Sequence, residues 1–411
     1  MPKNTIDNHF DLIIIGGGLA GASLACALKD SALKIAVVEA FELNTDSQPC
    51  YDDRTVALSY GSRCIFDAMG VWPSLAPFAE AINTIHISDR GHFGVSRLTR
   101  EQEGVEALGY VLENRSIGQQ LYAAIKESKN ISLFCPAELN TLQQDEGKVS
   151  IEVSAGGKAR TLTAELLVAA DGNNSQVMQL LNIGSSRKDY AQSALITNIT
   201  PGKKHDNVAY ERFTEDGPLA FLPMTENRCS VVWTLPPEQA EYLYALDGDD
   251  FLAQLQQRFG FRLGQIKKTG KRQIYPLFLQ SATQMTQGRV AIIGNAAHSV
   301  HPVAGQGFNL ALRDVALLSE LIVDNKRSGD DIGSLSMLQQ YVSLREEDIN
   351  RVYRFTDVLV RTFSNSIAPL AHMRSLGLLM VDVLPDLKHQ LAIQSMGMAG
   401  RLSRLSRGLP L

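Results

Sequence analysis

Two short, almost wholly apolar runs flank a glycine-rich turn at the start of the chain. Asp11-Leu12-Ile13-Ile14-Ile15 precedes Gly16-Gly17-Gly18-Leu19-Ala20-Gly21, and Lys34-Ile35-Ala36-Val37-Val38-Glu39 follows. Runs of this length without polar alternation read as strands covered on both faces, which is the habit of a parallel sheet. The intervening Leu19 to Leu28 then forms a helix, giving a β-α-β unit. In Gly16-x-Gly18-x-x-Gly21 the first glycine permits the tight turn and the second admits a pyrophosphate to the backbone. The third lets helix and strand pack closely. Glu39, eighteen positions beyond Gly21, stands where a carboxylate accepts hydrogen bonds from adenosine ribose hydroxyls, and it disfavours a 2′-phosphate. A glycine turn that holds no ligand would need neither the acid nor the second strand.

Two further glycine-anchored segments follow. Leu166 to Ala170 reads as a strand ending at Asp171-Gly172, with Asn173, Asn174 and Ser175 in the turn. Taken alone, Asp171 is as well explained as a bend-former or helix cap. With a dinucleotide site upstream, a role at pyrophosphate or ribitol becomes the better reading. The third segment runs from Gly294-Asn295-Ala296-Ala297-His298 through Val300-His301-Pro302-Val303-Ala304 to Gly305-Gln306-Gly307-Phe308-Asn309. Strand Val290 to Ile293 ends at Gly294 and Asn295, and Gly305, Gln306, Gly307 and Asn309 open a helix. Two glycines at a helix start leave free N–H groups and the positive end of the dipole. Aimed at the N1/O2 edge of an isoalloxazine, they would stabilise an anionic reduced flavin. Three such segments in this order point to bound FAD.

The fold class expected is α/β with an α+β insertion. A Rossmann-like FAD-binding domain carries an inserted antiparallel-sheet substrate domain and C-terminal helices. Segments 1–75, 100–189 and 286–350 form the discontinuous nucleotide domain. Segments 76–99 and 190–285 form the substrate domain, and 351–411 is a C-terminal helical region. The insertion is legible in alternating stretches such as Val208 to Phe213 and Ser230 to Thr234, with a turn at Asp216-Gly217. Helices are expected over 59–69, 110–125, 307–323 and 336–363.

These residues together resemble the aromatic-hydroxylase class of FAD monooxygenases, of which para-hydroxybenzoate hydroxylase is the type. The resemblance covers nearly the whole chain. Within the class the chain is similar to the ubiquinone-biosynthesis hydroxylases, and among these to the 6-methoxyphenol subgroup. The narrower likeness rests on Ile87-Ser88-Asp89-Arg90-Gly91-His92, on Glu211-Arg212-Phe213-Thr214 with Gly217-Pro218-Leu219-Ala220, and on Gly294-Asn295 with His301 to Leu310. The wider class usually has Gly-Asp where this chain has Gly294-Asn295; asparagine keeps a carbonyl acceptor but loses the charge.

The resemblance implies roles that the residues alone do not. Arg54, by itself most simply a surface arginine, would reach the pyrophosphate or flavin. Asn114 would be another flavin contact. His301, Pro302 and Arg212 become the candidates for the catalytic pocket, Arg212 by facing the ring. NAD(P)H would bind transiently as reductant, because no second G-x-G-x-x-G is visible. O2 would add at flavin C4a, and the resulting hydroperoxide would hydroxylate a polyprenylated methoxyphenol at its open para carbon. A flavin halogenase is disfavoured, since Trp72 and Trp233 make no W-x-W-x-I-P. The alternatives are a sibling ring hydroxylase of the same pathway acting at another carbon, a prenyl reductase, a non-catalytic flavin scaffold in a quinone-synthesis assembly, and a lipid-binding protein with a vestigial site.

Composition limits the rest. An apolar fraction of 45% with 20% charged residues is that of a globular protein, and a net charge of −5 gives no reason to expect nucleic acid as partner. Five scattered cysteines with no C-x-x-C suggest reduced thiols in the cytoplasm and no metal site. Neither a secretory signal nor a transmembrane helix is expected. Residues 364–411 hold five bases against two acids, interleaved with leucine and methionine, while the remainder is net −8. Such a segment lies on a membrane surface or docks on partner proteins, here other ubiquinone-biosynthesis proteins; equally, it packs on the catalytic body with a frayed basic end.

Overall fold

The structure is a computed structural model describing residues 8–42, 54–91, 94–299, 305–363, 377 and 380–411. The apolar run His9–Ile15 pairs in parallel with Ile35–Val38 on one side and with the long strand Lys158–Ala169 on the other. Parallel pairing continues outward to Ile131–Phe134 and to Val290–Ile292. Ile13, Ile14, Val37, Leu167 and Ile292 are fully buried, as a doubly covered sheet requires. One face packs against helices Leu19–Ala27, Asn114–Glu127 and Gln306–Ser328 through Leu24, Leu121, Ile125 and Leu318. The other is covered by an antiparallel meander, Ala137–Gln144 and Val149–Ala155, which pairs onto the first half of Lys158–Ala169.

Because all these strands run in parallel, their carboxyl ends lie on one side. Gly16, Ala170 and Ile293 follow the ends of three of them: Gly16 N–H donates to Val38 O, Ala170 N–H to Ile15 O, and Ile293 N–H to Ala169 O. The three glycine segments, remote in sequence, are thereby brought to one sheet edge, where ligands of open α/β sheets bind.

A second sheet of nine strands contains Thr84–Asp89, Val95–Thr99, Ser185–Thr200, Val208–Thr214, Gly217–Met224, Arg228–Leu235, Lys268–Thr269, Gln273–Ala282 and His298–Ser299. It is not purely antiparallel as expected. Val208–Thr214 pairs in parallel with Thr84–Asp89, a strand arriving from far upstream rather than by a hairpin. Its outer face is sealed by helices Pro237–Ala245 and Gly248–Phe259, with Leu219, Phe221, Val231 and Trp233 packed on Phe251, Leu255 and Phe259. Phe221 stacks on Phe259 with centroids 3.8 Å apart. The opposite face carries Ile196, Ala220, Leu222 and Val232 toward a cavity.

Two local expectations shift. The helix anticipated from residue 110 begins at Asn114, because Gly109–Glu113 is a strand held between Thr55–Ser59 and Glu80–Ile82. The helix anticipated from 59 is Tyr60–Ala68, with the Ser59 hydroxyl accepting from Ser62 N–H as its cap. The C-terminal basic end is docked rather than frayed. Leu405 is 1% exposed in the main core, and Arg404 reaches Asp324 at 2.6 Å. No helix among the described residues is long and apolar enough to cross a membrane.

Trp233→Ala should cost about 3–5 kcal/mol, the range for emptying a large core aromatic site. Urea unfolding followed by circular dichroism measures it; a loss under about 1 kcal/mol would mean that the outer face of the second sheet is not a packed core.

Candidate functional site

The glycine-bearing edge of the first sheet and the inner face of the second enclose one cavity of about 1740 Å³. Pockets for a single small ligand run to ~300–1,000 Å³, so there is room for a dinucleotide and a second molecule beside it. Gly16, Gly18, Glu39, Arg54, Asn114, Asp171 and Gly172 line it, as do Asn295, Gly305, Gly307 and Asn309. Gly21, Gly294 and Gln306, also singled out from the sequence, are not among its lining residues.

Their placement explains the glycine pattern. A Cβ on Gly21 would lie 1.9 Å from Gly16 O, and one on Gly16 (φ +95°) would lie 2.5 Å from Ala170 O. Gly18 and Gly307 differ: nothing lies within 4 Å of where their Cβ would be, and both face the cavity. They leave space for a ligand to approach backbone. Helices Leu19–Ala27 and Gln306–Ser328 start at Gly18 and Gly305, and neither start has a side-chain cap. Elsewhere Ser59, Ser175 and Asp247 supply such caps. Two uncapped dipoles aimed into one cavity suit an anionic ligand.

The carboxylates are held differently. Glu39 accepts from Gly17 N–H at 2.6 Å and from Phe41 N–H at 2.9 Å, so it braces the turn as well as facing the cavity. Burial raises its pKa, and hydrogen bonds from the Phe41, Gly17 and Ala40 backbone offset this only in part. Tyr122 closes the turn by donating its hydroxyl to Gly17 O. Asp171 accepts from Val177 N–H through Oδ2, while its buried Oδ1 has no partner among the described residues. Burial raises its pKa too, against hydrogen bonds from Ser175 and Val177. Asn114 Oδ1 is likewise buried and unmatched. Such acceptors call for a donor that the protein does not provide, as ribityl hydroxyls would. The donor set therefore fits FAD.

Asn309 spends its amide on protein. It donates to Ala57 O and Gly305 O and accepts from Ser59 N–H, fixing strand Thr55–Ser59 against the helix start. Arg54 lies 4.9 Å over the Tyr275 ring at the cavity wall.

Arg212 does not face the ring pocket, and that expectation is corrected. It pairs in register with Leu219 on the outer face of the sheet, beside Arg262, Arg90 and Asp89. Its neighbour Glu211 takes the inner face. His301 and Pro302 lie outside the described residues. His298 is structural: Nε2 lies 2.7 Å from Asp314 Oδ2, in the core.

Asp314 escaped the sequence reading. Fully buried, it accepts from the Gly294 N–H at 2.9 Å and from Arg345 Nε at 2.7 Å, in addition to its His298 contact. Burial would raise its pKa, yet His298 and Arg345 outweigh burial and hold it below the usual carboxylate range. The available signal was an acid within the apolar stripe Leu310-Asp314-Leu318, since a buried charge must be paired.

Residues 9–356 match the family described as FAD binding domain. The chain is 36% identical over 413 residues to the ubiquinone hydroxylase UbiL of Rhodospirillum rubrum, covering 98% of this chain and 94% of that one. It is 30% identical over 393 residues to the 3-demethoxyubiquinol 3-hydroxylase of Escherichia coli, covering 94% of this chain and 98% of that one. The fold is similar to that of p-nitrophenol 4-monooxygenase PnpA from Pseudomonas putida. The TM-score is 0.80 at 16% identity, over 96% of this chain and 100% of that one.

Gly18→Val should leave the apoprotein's melting temperature unchanged and abolish FAD retention, whereas Gly21→Val should lower both. Absorbance at the flavin band and apoprotein melting separate the two; equal behaviour would refute the assignment of open and closed glycines. Asp314→Ala should cost about 3–5 kcal/mol by leaving Arg345 as a buried charge without this partner. With a folded pKa below the unfolded value of about 3.9, Asp314 stabilises fully above that pH, and the benefit fades as pH falls through the folded pKa. Asp314→Asn should therefore flatten the acid limb of stability below about pH 4, read by thermal melts across pH.

Proposed function

The chain belongs to the FAD-binding family of monooxygenases, and from that premise we propose that it is a ring hydroxylase of ubiquinone biosynthesis. The reaction proposed is conversion of 2-polyprenyl-6-methoxyphenol to 2-polyprenyl-6-methoxy-1,4-benzoquinol, with NAD(P)H as transient reductant and O2 as co-substrate. The observation that carries this reading is a cavity shared by the two sheets: its glycine-lined end suits FAD, and its other wall is a mainly apolar sheet face with Ile85, Ile87, Ala220, Leu222 and Val232. The likeness to named ubiquinone hydroxylases supports the pathway.

When bound and reduced, FAD would activate O2, which is the source of the transferred oxygen atom. The chain's own residues bind and orient. Gly16, Gly18 and the helix start at Leu19 would hold the pyrophosphate, and Glu39 the adenosine ribose. Asp171, Asn114 and Asn295 would meet ribitol and flavin, and the helix start after Gly305 would face the flavin N1/O2 edge. The apolar wall would exclude water and take the ring with its prenyl chain. Segments 1–75, 100–189 and 286–350 would then serve the nucleotide, and 76–99 with 190–285 the substrate.

The C-terminal region also contributes. Val381, Leu391 and Ser395 line the cavity, while Met380, Val383, Leu384 and Leu387 are exposed beside it. This apolar surface supports peripheral membrane contact where a prenylated substrate would enter.

Purified protein should be yellow, and its NAD(P)H oxidation should rise on adding a short-chain 2-methoxyphenol. One ¹⁸O atom from O2 should appear in the product. In a deletion strain the methoxylated phenol should accumulate; build-up of a different precursor would move the protein to a sibling step at another ring carbon, and bound FAD without oxygen incorporation would favour a scaffold.

A further inference from the structure

The inner face of the second sheet is apolar along the strands nearest Val208–Thr214, except for one acid. Pairing places Glu211 opposite Ile87 on one side and Ala220 on the other, and Ala220 in turn opposite Val232, which pairs with Ile196. This row of Ile87, Glu211, Ala220, Val232 and Ile196 lines the cavity. Among the described residues the Glu211 carboxylate has no salt bridge or side-chain hydrogen bond. It retains partial exposure, and this is toward the cavity it lines.

A buried acid without a partner is costly, and such groups concentrate where chemistry needs them. The other cavity carboxylates lie at the nucleotide end, where Glu39 braces Gly17 and Asp171 holds Val177. Glu211 stands on the wall that the preceding reading gives to the aromatic ring.

We propose that Glu211 is the proton acceptor for the phenolic hydroxyl of the aromatic substrate. The inference rests on the function proposed above. In the step, the phenol O–H bond breaks, its electron pair stays on oxygen, and the proton bonds to the Glu211 carboxylate. The ring becomes an electron-rich phenolate, better able to attack an electrophilic oxygen. After oxygen transfer, the attacked carbon loses its hydrogen to solvent. Glu211 then returns its proton to the first oxygen, leaving a neutral quinol and the starting carboxylate.

Burial pushes the Glu211 carboxyl up to about 7, and no charged neighbour contributes. A free phenol ionises near pH 10 and an ordinary glutamate near 4.3, so burial cuts the mismatch from roughly 6 units to roughly 3. A base whose pKa lies near the operating pH is the effective kind. From each packed strand the facing groups are not titratable: Ile85 and Ile87, Ala220 and Leu222, Val232 and Thr234, and Ile196. Asp89 shares the Ile87 face of its strand but sits at the strand's end, outside the cavity lining. His86, Tyr210 and Arg212 alternate with these positions; of the three only Tyr210 also lines the cavity, and its ring packs edge-on against Phe259.

The test uses FAD-loaded enzyme with NAD(P)H and O2, and a short-chain 2-methoxy-6-alkylphenol as substrate. Phenol binding to the oxidised enzyme and the rate of hydroxylated product are both read from pH 5 to 9. In wild type kcat/KM for hydroxylation should fall about tenfold per unit as pH drops below about 7, where the free carboxylate takes up its own proton. In Glu211→Gln that acid limb should disappear, with Kd within about threefold and kcat at pH 8 reduced ~10²–10⁴-fold. An acid limb retained in Glu211→Gln with kcat close to wild type, in an enzyme whose wild type hydroxylates the phenol, overturns this proposal alone. A wild type that binds FAD but no phenol overturns both this proposal and the function it rests on. Glu211→Leu provides the second variant: matching its apolar row, it should melt higher than wild type above pH 7 and also lack the acid limb. An acid limb and near-normal kcat persisting in Glu211→Leu would equally overturn the proposal.

Discussion

A fully buried carboxylate holds the parts of this molecule in register. Asp314 lies in the middle of helix Gln306–Ser328, whose first turn faces the cavity, yet its oxygens reach three other places. They meet the Gly294 backbone at the end of a core strand, His298 at the edge of the second sheet, and Arg345 on the following long helix. Desolvating an acid is tolerable only when its lone pairs are filled, and here they are. The same bonds set the glycine turn at 294 relative to the helix start at 305, so the cavity's geometry depends on an ion cluster that lies behind its wall.

Asn309 does comparable work one turn earlier, tying the helix start to strand Thr55–Ser59. Together these contacts position the helix start, whose N-terminus has no side-chain cap. An anionic ligand then meets preorganised donors instead of ordering them on arrival. The cavity divides by chemistry accordingly: unmatched acceptors, free N–H groups and glycines at one end, and aliphatic side chains at the other.

Much of the nucleotide end was legible in the linear sequence. The first glycine motif sits between two strands whose apolar runs admit one arrangement, and Gly16, Gly18, Glu39, Asp171, Asn295, Gly305 and Gly307 all reach the cavity. Local rules suffice there because turn, strand end and helix start are contiguous in the chain. The wall of the second sheet was less legible. Strand alternation decides whether Arg212 or Glu211 turns inward, and the sequence does not announce which face is covered. Helices Pro237–Ala245 and Gly248–Phe259 settle it by burying Phe221 and Trp233 on the outside.

The sequence by itself determined the β-α-β start, the positions where only glycine fits, and the presence of two chemically distinct segments. Each of these follows from backbone sterics and from side-chain period, which act over a few residues. Tertiary structure alone decided that three distant glycine turns share one sheet edge, that Asp314 braces one of them, and that Glu211 rather than Arg212 enters the cavity. Those outcomes depend on strand order, register and which face a helix covers, and such long-range pairings are specified by the whole fold's packing.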